Sequence, residues 1–286
     1  METTDTVVVA DKTIALAMEC ALAPSKISNG ETSTEIEATT DWAGLLSAAT
    51  AVPTTTLRPL DTPEARARYE PKRLLLLLDT LLDEEECARL NAAAEAIGYG
   101  CTSYPQEYRG NLRLIVTDVG LAKALWERVK PHVPEFLETA DKPFCPAARW
   151  RAVGLNECFR LAKYYPGHRF GAHCDANFQR DRDERSFFTL NVYTNTVEPE
   201  HGGRTRFYVD KDERARRPEA SKGTETKFDL QVQPVAGRAA LFQHGPHVAL
   251  LHDGERLEGG VKYLLRSDVM YRRVVDEVLV GLTSGC

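Results

Sequence analysis

Apolar positions first cluster strongly at Leu74 to Leu78, inside residues 73–79, a run of strand length. A helix is expected directly after it. Asp83 stands at an N-cap position with Glu86 three residues on, the spacing of a capping box. Cys87, Leu90, Ala94 and Ile97 then recur on one helical face until Gly98 and Gly100 end the pattern. A second helix is expected over 118–130, with Leu121, Leu125 and Val129 as its stripe and Pro131 as its stop. From about residue 152 the period shortens. Apolar or alternating runs fall at 159–164, 187–193, 205–209, 228–232, 239–243, 248–252, 261–265 and 269–275, separated by Gly, Pro, Asn or charged clusters. Short strands at this spacing predict a β-sandwich or jelly roll rather than βαβ units. Residues 210–227 are charged and contain Pro and Gly, so they read as a long loop.

The N-terminal part has no comparable periodicity. Residues 1–68 are rich in Ala, Thr, Ser and Glu, and are expected to form a mobile N-terminal tail. A short helix around Asp41 to Leu46 is the exception. The remaining 69–286 are expected to form one domain, with helical support over 69–150 and a jelly roll over 151–276. Lys+Arg (36) and Asp+Glu (42) are interspersed, so no basic field for nucleic acid is built in and no nucleic-acid partner is expected. No apolar run approaches the ~20 residues that span a bilayer, so no membrane association is expected. The opening Met1-Glu2-Thr3-Thr4-Asp5 lacks the basic stretch of a secretory leader. The seven cysteines are odd in number, scattered and without a CxxC pair. Neither a zinc knuckle nor a disulfide framework is indicated, and a reducing compartment, cytoplasmic or nuclear, is expected.

Three features of the β region can carry chemistry. In His173-Cys174-Asp175, a strand would turn His173 and Asp175 to one side and Cys174 to the other. Cys174 is then a packing residue. His244, His247 and His252 follow, and any of them can bring a second imidazole. Two histidines and a carboxylate leave three coordination positions open, an arrangement suited to non-haem Fe(II); the alternative is ordinary strand histidines. Lys262 shares a strand face with Leu264 and Arg266. Turned inward it needs an anion, because an unpaired buried cation costs several kcal/mol; turned outward it is a surface lysine. Residues 179–185 read as a solvated loop, or as a loop facing substrate. Arg109, Asn111 and Arg113 read as a surface strand, or as the mouth of the site. Gly202-Gly203 is a turn before a strand rather than a phosphate loop, since no helix follows.

The chain resembles the Fe(II)- and 2-oxoglutarate-dependent dioxygenases of the prolyl 4-hydroxylase type over residues 74–273. The resemblance is carried by Tyr164-Tyr165-Pro166-Gly167 with His173-Cys174-Asp175, by the block from Phe188 to Asn195, and by Gly202-Gly203-Arg204-Thr205-Arg206-Phe207. It continues through the block from Pro234 to Phe242, then His252-Asp253-Gly254 and Gly260-Val261-Lys262-Tyr263. It implies an α+β, mainly β fold, a double-stranded β-helix (jelly roll) with the N-terminal helices packed outside. It implies Fe(II), 2-oxoglutarate and O2, with ascorbate as an optional accessory. His173, Asp175 and His252 would hold the iron, His252 being preferred because Gly260 and Lys262 follow it at the family's spacing. Lys262 would hold the distal carboxylate of 2-oxoglutarate, and Tyr164 and Tyr193 would stand near it. Arg266 would support that carboxylate or sit in a surface ion pair. The implied activity is hydroxylation of an unreactive C–H bond in a prolyl or other peptidyl residue. A small-molecule hydroxylase of the same chemistry and a non-catalytic metal-binding jelly roll are the alternatives.

Overall fold

The computed structural model describes residues 25–29, 36–38, 40–47, 56–58, 75–140, 147–208, 230–244 and 249–274. In chain order the elements are β1 (Ser25–Asn29), β2 (Ile36–Ala38), a 3-10 turn (Ala43–Leu45), β3 (Thr56–Arg58), β4 (Leu75–Asp79) and α1 (Glu84–Ile97). Next come β5 (Leu112–Thr117), α2 (Val119–Val129), β6 (Phe136–Thr139), β7 (Ala148–Leu155), β8 (Cys158–Tyr164), β9 (Phe170–His173) and β10 (Glu184–Tyr193). The last are β11 (Thr205–Tyr208), β12 (Leu230–Val232), β13 (Ala239–Gln243), β14 (Leu251–Gly254) and β15 (Lys262–Arg273).

Among the described residues the strands form two antiparallel sheets, the two walls of a jelly roll. The major sheet runs β2-β1-β5-β8-β15-β10-β13-β4-β3, with β7 also on β15 and β6 on β7; the minor sheet runs β12-β11-β14-β9. Alternation along the central strands explains why they read as nearly continuous apolar runs: both faces are covered. Leu77, Tyr193, Ala240 and Phe242 turn toward the minor sheet and meet Phe207, Leu230 and Val232. Their neighbours Leu78, Val192 and Leu241 turn the other way and join Leu90 of α1 and Leu121, Leu125 and Val129 of α2.

Both helices start as their sequences predict. Asp83 accepts from the Glu86 amide at 2.6 Å while Glu86 accepts from the Asp83 amide at 2.9 Å, a complete capping box. Asp118 caps α2 through the Leu121 amide at 2.7 Å. Glu86 also forms a buried two-point ion pair with Arg128 of α2, at 2.7 and 2.8 Å. The β4–α1 turn is tied to the β12–β13 connection through the Leu81 amide and Gly237 carbonyl at 2.8 Å. Gly237 is required there: its φ is +79°, and a Cβ would lie 2.0 Å from the Leu82 carbonyl oxygen.

Several expectations need correction. The 1–68 tail does not hold for its described residues: β1 pairs with β5, β3 pairs with β4, and Trp42 is fully buried in the same core as α1 and α2. The expected helix around Asp41 to Leu46 is the 3-10 turn beside it. The division at 150/151 also fails, because β4 and β5 belong to the major sheet and β7 spans it. The runs 261–265 and 269–275 are one strand, β15. Its central Arg266-Ser267-Asp268, polar enough to look like a break, is held in the strand by cross-strand pairing and cavity contacts. Residues 179–185 are not all loop, since Glu184 and Arg185 open β10 as buried residues. The loop expected at 210–227 lies outside the described residues.

Candidate active site

The minor sheet supplies the first group of site residues. β9 and β14 pair antiparallel with His173 opposite His252, so the two imidazoles project from adjacent strands, their ring centroids 4.3 Å apart. Asp175 follows just after β9. Its carboxylate lies 3.6 Å from His173 Nε2 and 3.8 Å from His252 Nε2. One ligand atom from each of the three residues falls within 4.8 Å of the others. The backbone sets the tautomers. His173 Nδ1 is 2.8 Å from the Gly171 carbonyl and His252 Nδ1 is 2.9 Å from the Leu250 carbonyl. A carbonyl only accepts, so each Nδ1 carries the proton and each Nε2 presents a lone pair toward Asp175. Burial and the neighbouring His173 lower the His252 pKa to about 4, which keeps it neutral at neutral pH.

Asp175 is held from behind. Thr189 of β10 donates to its Oδ2 at 2.7 Å, and the Arg266 guanidinium stands 3.3 Å from its Oδ1. Burial opposes ionisation of Asp175, but the Arg266 guanidinium holds its carboxyl well below the usual range. Thr189 Oγ1 has one proton and gives it to Asp175, so His244 Nδ1, at 2.9 Å, donates to Thr189. His244 Nε2 then accepts from Ser186 Oγ at 2.8 Å. His244 is therefore not part of the cluster. It is a buried neutral imidazole one hydrogen bond behind Asp175, and burial lowers its pKa. Sequence reasoning missed Thr189 and Ser186, because their roles depend on how β10 and β13 pair. His247 lies outside the described residues. Cys174 is exposed, not buried as the packing reading expected, since the chain has left β9 by that point.

The major sheet supplies the rest of the cavity. Register places Lys262 opposite Tyr164, Leu264 opposite Ala162 and Arg266 opposite Arg160, so all six side chains share the inner face. All six line one cavity with His173, Asp175 and His252, about 590 Å³ out to its open mouth. Lys262 is 3% exposed. Its ammonium donates to the Gly203 carbonyl at 2.6 Å and faces the rings of Tyr164 and Tyr193 at 5.2 and 5.6 Å. It makes no ion pair among the described residues, and burial lowers its pKa to about 8 against the pull of Glu255 and Asp253. The Gly202-Gly203 turn brings that carbonyl in; both residues have positive φ, +68° and +72°. Tyr164 lines the cavity, and burial raises its pKa to about 12. Tyr193 stands behind the wall and donates to Thr205, which lines it, at 2.7 Å. Arg109, Asn111 and Arg113 line the same cavity, as the mouth-of-site reading expected. Arg266 sits in ion pairs, but in the cavity with Asp175 and Asp268 rather than at the surface. Asp253, beside His252, is occupied by Arg206 at 2.7 Å and by the Tyr208 hydroxyl at 2.5 Å.

This donor set fits a divalent metal of the non-haem iron kind: two neutral imidazole nitrogens, an ionised carboxylate and room on one side. A buried ammonium in the same cavity fits the far carboxylate of a dianionic co-substrate.

Residues 159–267 match the family described as the 2OG-Fe(II) oxygenase superfamily. No curated protein matches the chain. Among solved structures, a prolyl-4-hydroxylase from Pseudomonas putida is 18% identical, covering 70% of this chain and 93% of its own, with a TM-score of 0.45. HygX from Streptomyces hygroscopicus, with nickel and 2-oxoglutarate bound, is 15% identical, covering 74% and 87%, with a TM-score of 0.45. The viral collagen prolyl hydroxylase of Paramecium Bursaria Chlorella virus-1, in its 2-oxoglutarate complex, is 16% identical, covering 69% and 96%, with a TM-score of 0.42. The match to the 2OG-Fe(II) oxygenase superfamily thus falls on residues 159–267, the segment that holds His173, Asp175, His252 and Lys262.

Proposed function

We propose that this chain hydroxylates an unreactive C–H bond of a substrate bound in the cavity, a prolyl or other peptidyl residue or a small molecule. His173, Asp175 and His252 hold the iron, and Lys262 holds the distal carboxylate of 2-oxoglutarate. The observation that carries this reading is the three-residue cluster facing a buried lysine that has no ion-pair partner among the described residues. When bound, iron, 2-oxoglutarate and O2 supply the oxidising chemistry, and the co-substrate leaves as succinate and CO2. The chain's own part is positioning. Gly171 and Leu250 fix the histidine tautomers, and Thr189 and Arg266 orient the carboxylate. The cavity wall restricts water and places the C–H bond.

The test is succinate release with Fe(II) and 2-oxoglutarate, followed by a screen of peptides and metabolites for the mass gain of one oxygen. His173→Ala, Asp175→Ala and His252→Ala are each expected to abolish iron-dependent turnover, because the site has three protein ligands. His247→Ala is expected to keep most of it. Loss of activity in His247→Ala with retention in His252→Ala would overturn the ligand assignment.

A further inference from the structure

The cavity carries more positive charge than the proposed iron and co-substrate sites use. Besides Lys262, its wall includes Arg109, Arg113, Arg160 and Arg266. Strand register makes the crowding unavoidable. Arg160 of β8 lies directly opposite Arg266 of β15, and Arg113 of β5 lies opposite Ala162, diagonal to Arg160. Like charges directly opposite one another destabilise an antiparallel pair. Asp268 offsets this only in part, at 4.0 Å from Arg160 and 3.4 Å from Arg266. Arg266 is also engaged with Asp175 at 3.3 Å, while its buried Nε has no hydrogen-bond partner. A buried donor left without a partner requires an explanation.

Arg109 is the most telling of the four. Among the described residues it has no ion pair; its Nε donates to Asn111 Oδ1 at 3.3 Å. Its guanidinium lies against the rings of Tyr104 at 5.0 Å and Phe170 at 4.4 Å. Phe170 in turn stacks on His173, ring centroids 3.7 Å apart. A bridge between Arg109 and Phe170 fixes this loop to β9. The guanidinium is thus held one aromatic layer from the metal cluster. Burial, with Arg113 and Arg266 nearby, lowers its pKa, as expected of a cation placed among cations.

We propose that Arg109, with Arg160 and Arg113 of the adjoining strands, binds an oxyanion of the primary substrate, a carboxylate or a phosphate. The planar guanidinium fork matches both groups at two points. The C–H bond attacked is then a few bonds from that anionic group, because Arg109 and His173 flank the same Phe170 ring. This inference rests on the proposed function: Lys262 takes the co-substrate, and the arginines take the second ligand.

The test uses the full chain loaded with Mn(II) in place of Fe(II) and with saturating 2-oxoglutarate, titrated calorimetrically with propionate and with inorganic phosphate. At least one probe is expected to bind in the millimolar range. Arg109→Gln is expected to weaken that binding at least about tenfold, roughly the worth of one charged two-point contact, with Arg109→Lys intermediate. Binding of propionate alone identifies a carboxylate substrate, and of phosphate alone a phosphorylated one. Binding of neither probe, or binding unchanged in both Arg109→Gln and Arg160→Gln, overturns the proposal. Arg160→Gln also serves if Arg109→Gln does not fold. The 2-oxoglutarate isotherm, recorded first, separates the two readings: its absence in the wild type would sink the proposed function instead.

Discussion

At the scale of single residues, a buried cation and a buried carboxylate are held in opposite ways. Lys262 is left with one backbone carbonyl and two ring faces, whereas Asp175 is held by Thr189 and Arg266. Removing the lysine therefore has two expected effects of opposite sign. Lys262→Met should raise the 2-oxoglutarate concentration needed for half-maximal succinate release by about two orders of magnitude or more, since losing one partner of a buried pair costs ~3–5 kcal/mol. The same change should raise the melting temperature of the ligand-free protein. The pH dependence follows from the pKa, about 8 in the fold against an ordinary 10.5. Between those values the unfolded chain binds more protons than the native one, so the lysine's destabilisation is full below about pH 8 and fades toward pH 10.5. It amounts to about 3 kcal/mol. Melting curves of wild type and Lys262→Met should thus differ most near pH 7 and converge as pH rises; a constant gap would mean that the ammonium has a partner. For Asp175, Thr189→Val is expected to lower metal affinity about 10–100-fold while the fold persists, the usual cost of losing a group that orients a ligand. Metal titration followed by the melting temperature checks both halves.

At the scale of elements, α1 shows where local sequence stops being informative. The capping box was readable because Asp83 and Glu86 are three residues apart and act on their own backbone. The second task of Glu86, pairing with Arg128, was not readable, because those residues meet only when α1 and α2 dock on the same sheet face. Burial would raise the Glu86 pKa, but the hydrogen bonds from Arg128, Ser47 and Asp83 lower it to about 2. Its stabilising effect is therefore present above about pH 4.5 and lost as pH falls toward 2. Arg128→Met should cost about 3–5 kcal/mol at neutral pH by leaving a buried carboxylate unpaired. The double change Glu86→Gln with Arg128→Met should recover much of that in urea unfolding. An additive loss instead would mean that the pair is not coupled. The continuity of β15 has the same origin: Arg266-Ser267-Asp268 looks like a break only until β8 and β10 supply its partners.

At the scale of the whole molecule, the described N-terminal residues belong to the fold. Trp42 is buried with α1 and α2, the Arg89 side chain donates to the Leu45 carbonyl at 2.8 Å, and the Ser47 amide donates to Glu86 at 2.6 Å. Trp42→Ala should cost about 3–5 kcal/mol, as large core truncations do, and equilibrium unfolding of the full chain measures it. A loss under about 1 kcal/mol, the size of an ordinary surface change, would return this segment to the status of a tail. Composition argued for that tail because a lone tryptophan among Ala, Thr and Ser carries no periodicity to read. Among the described residues no helix is long and apolar enough to cross a membrane. By itself the sequence determined the helices with the Asp83 cap, most strands and the HxD pair, because each depends on periods of two or 3.6 and on neighbours a few residues away. The family spacing favoured His252; only the tertiary structure decided that His244 stands behind Asp175, that Lys262 turns inward, that Thr189 and Arg266 orient the carboxylate, and that arginines from separate segments converge on one cavity. These depend on strand register, where a shift of one residue sends every side chain to the opposite face, and register is set by pairing between segments far apart in the chain.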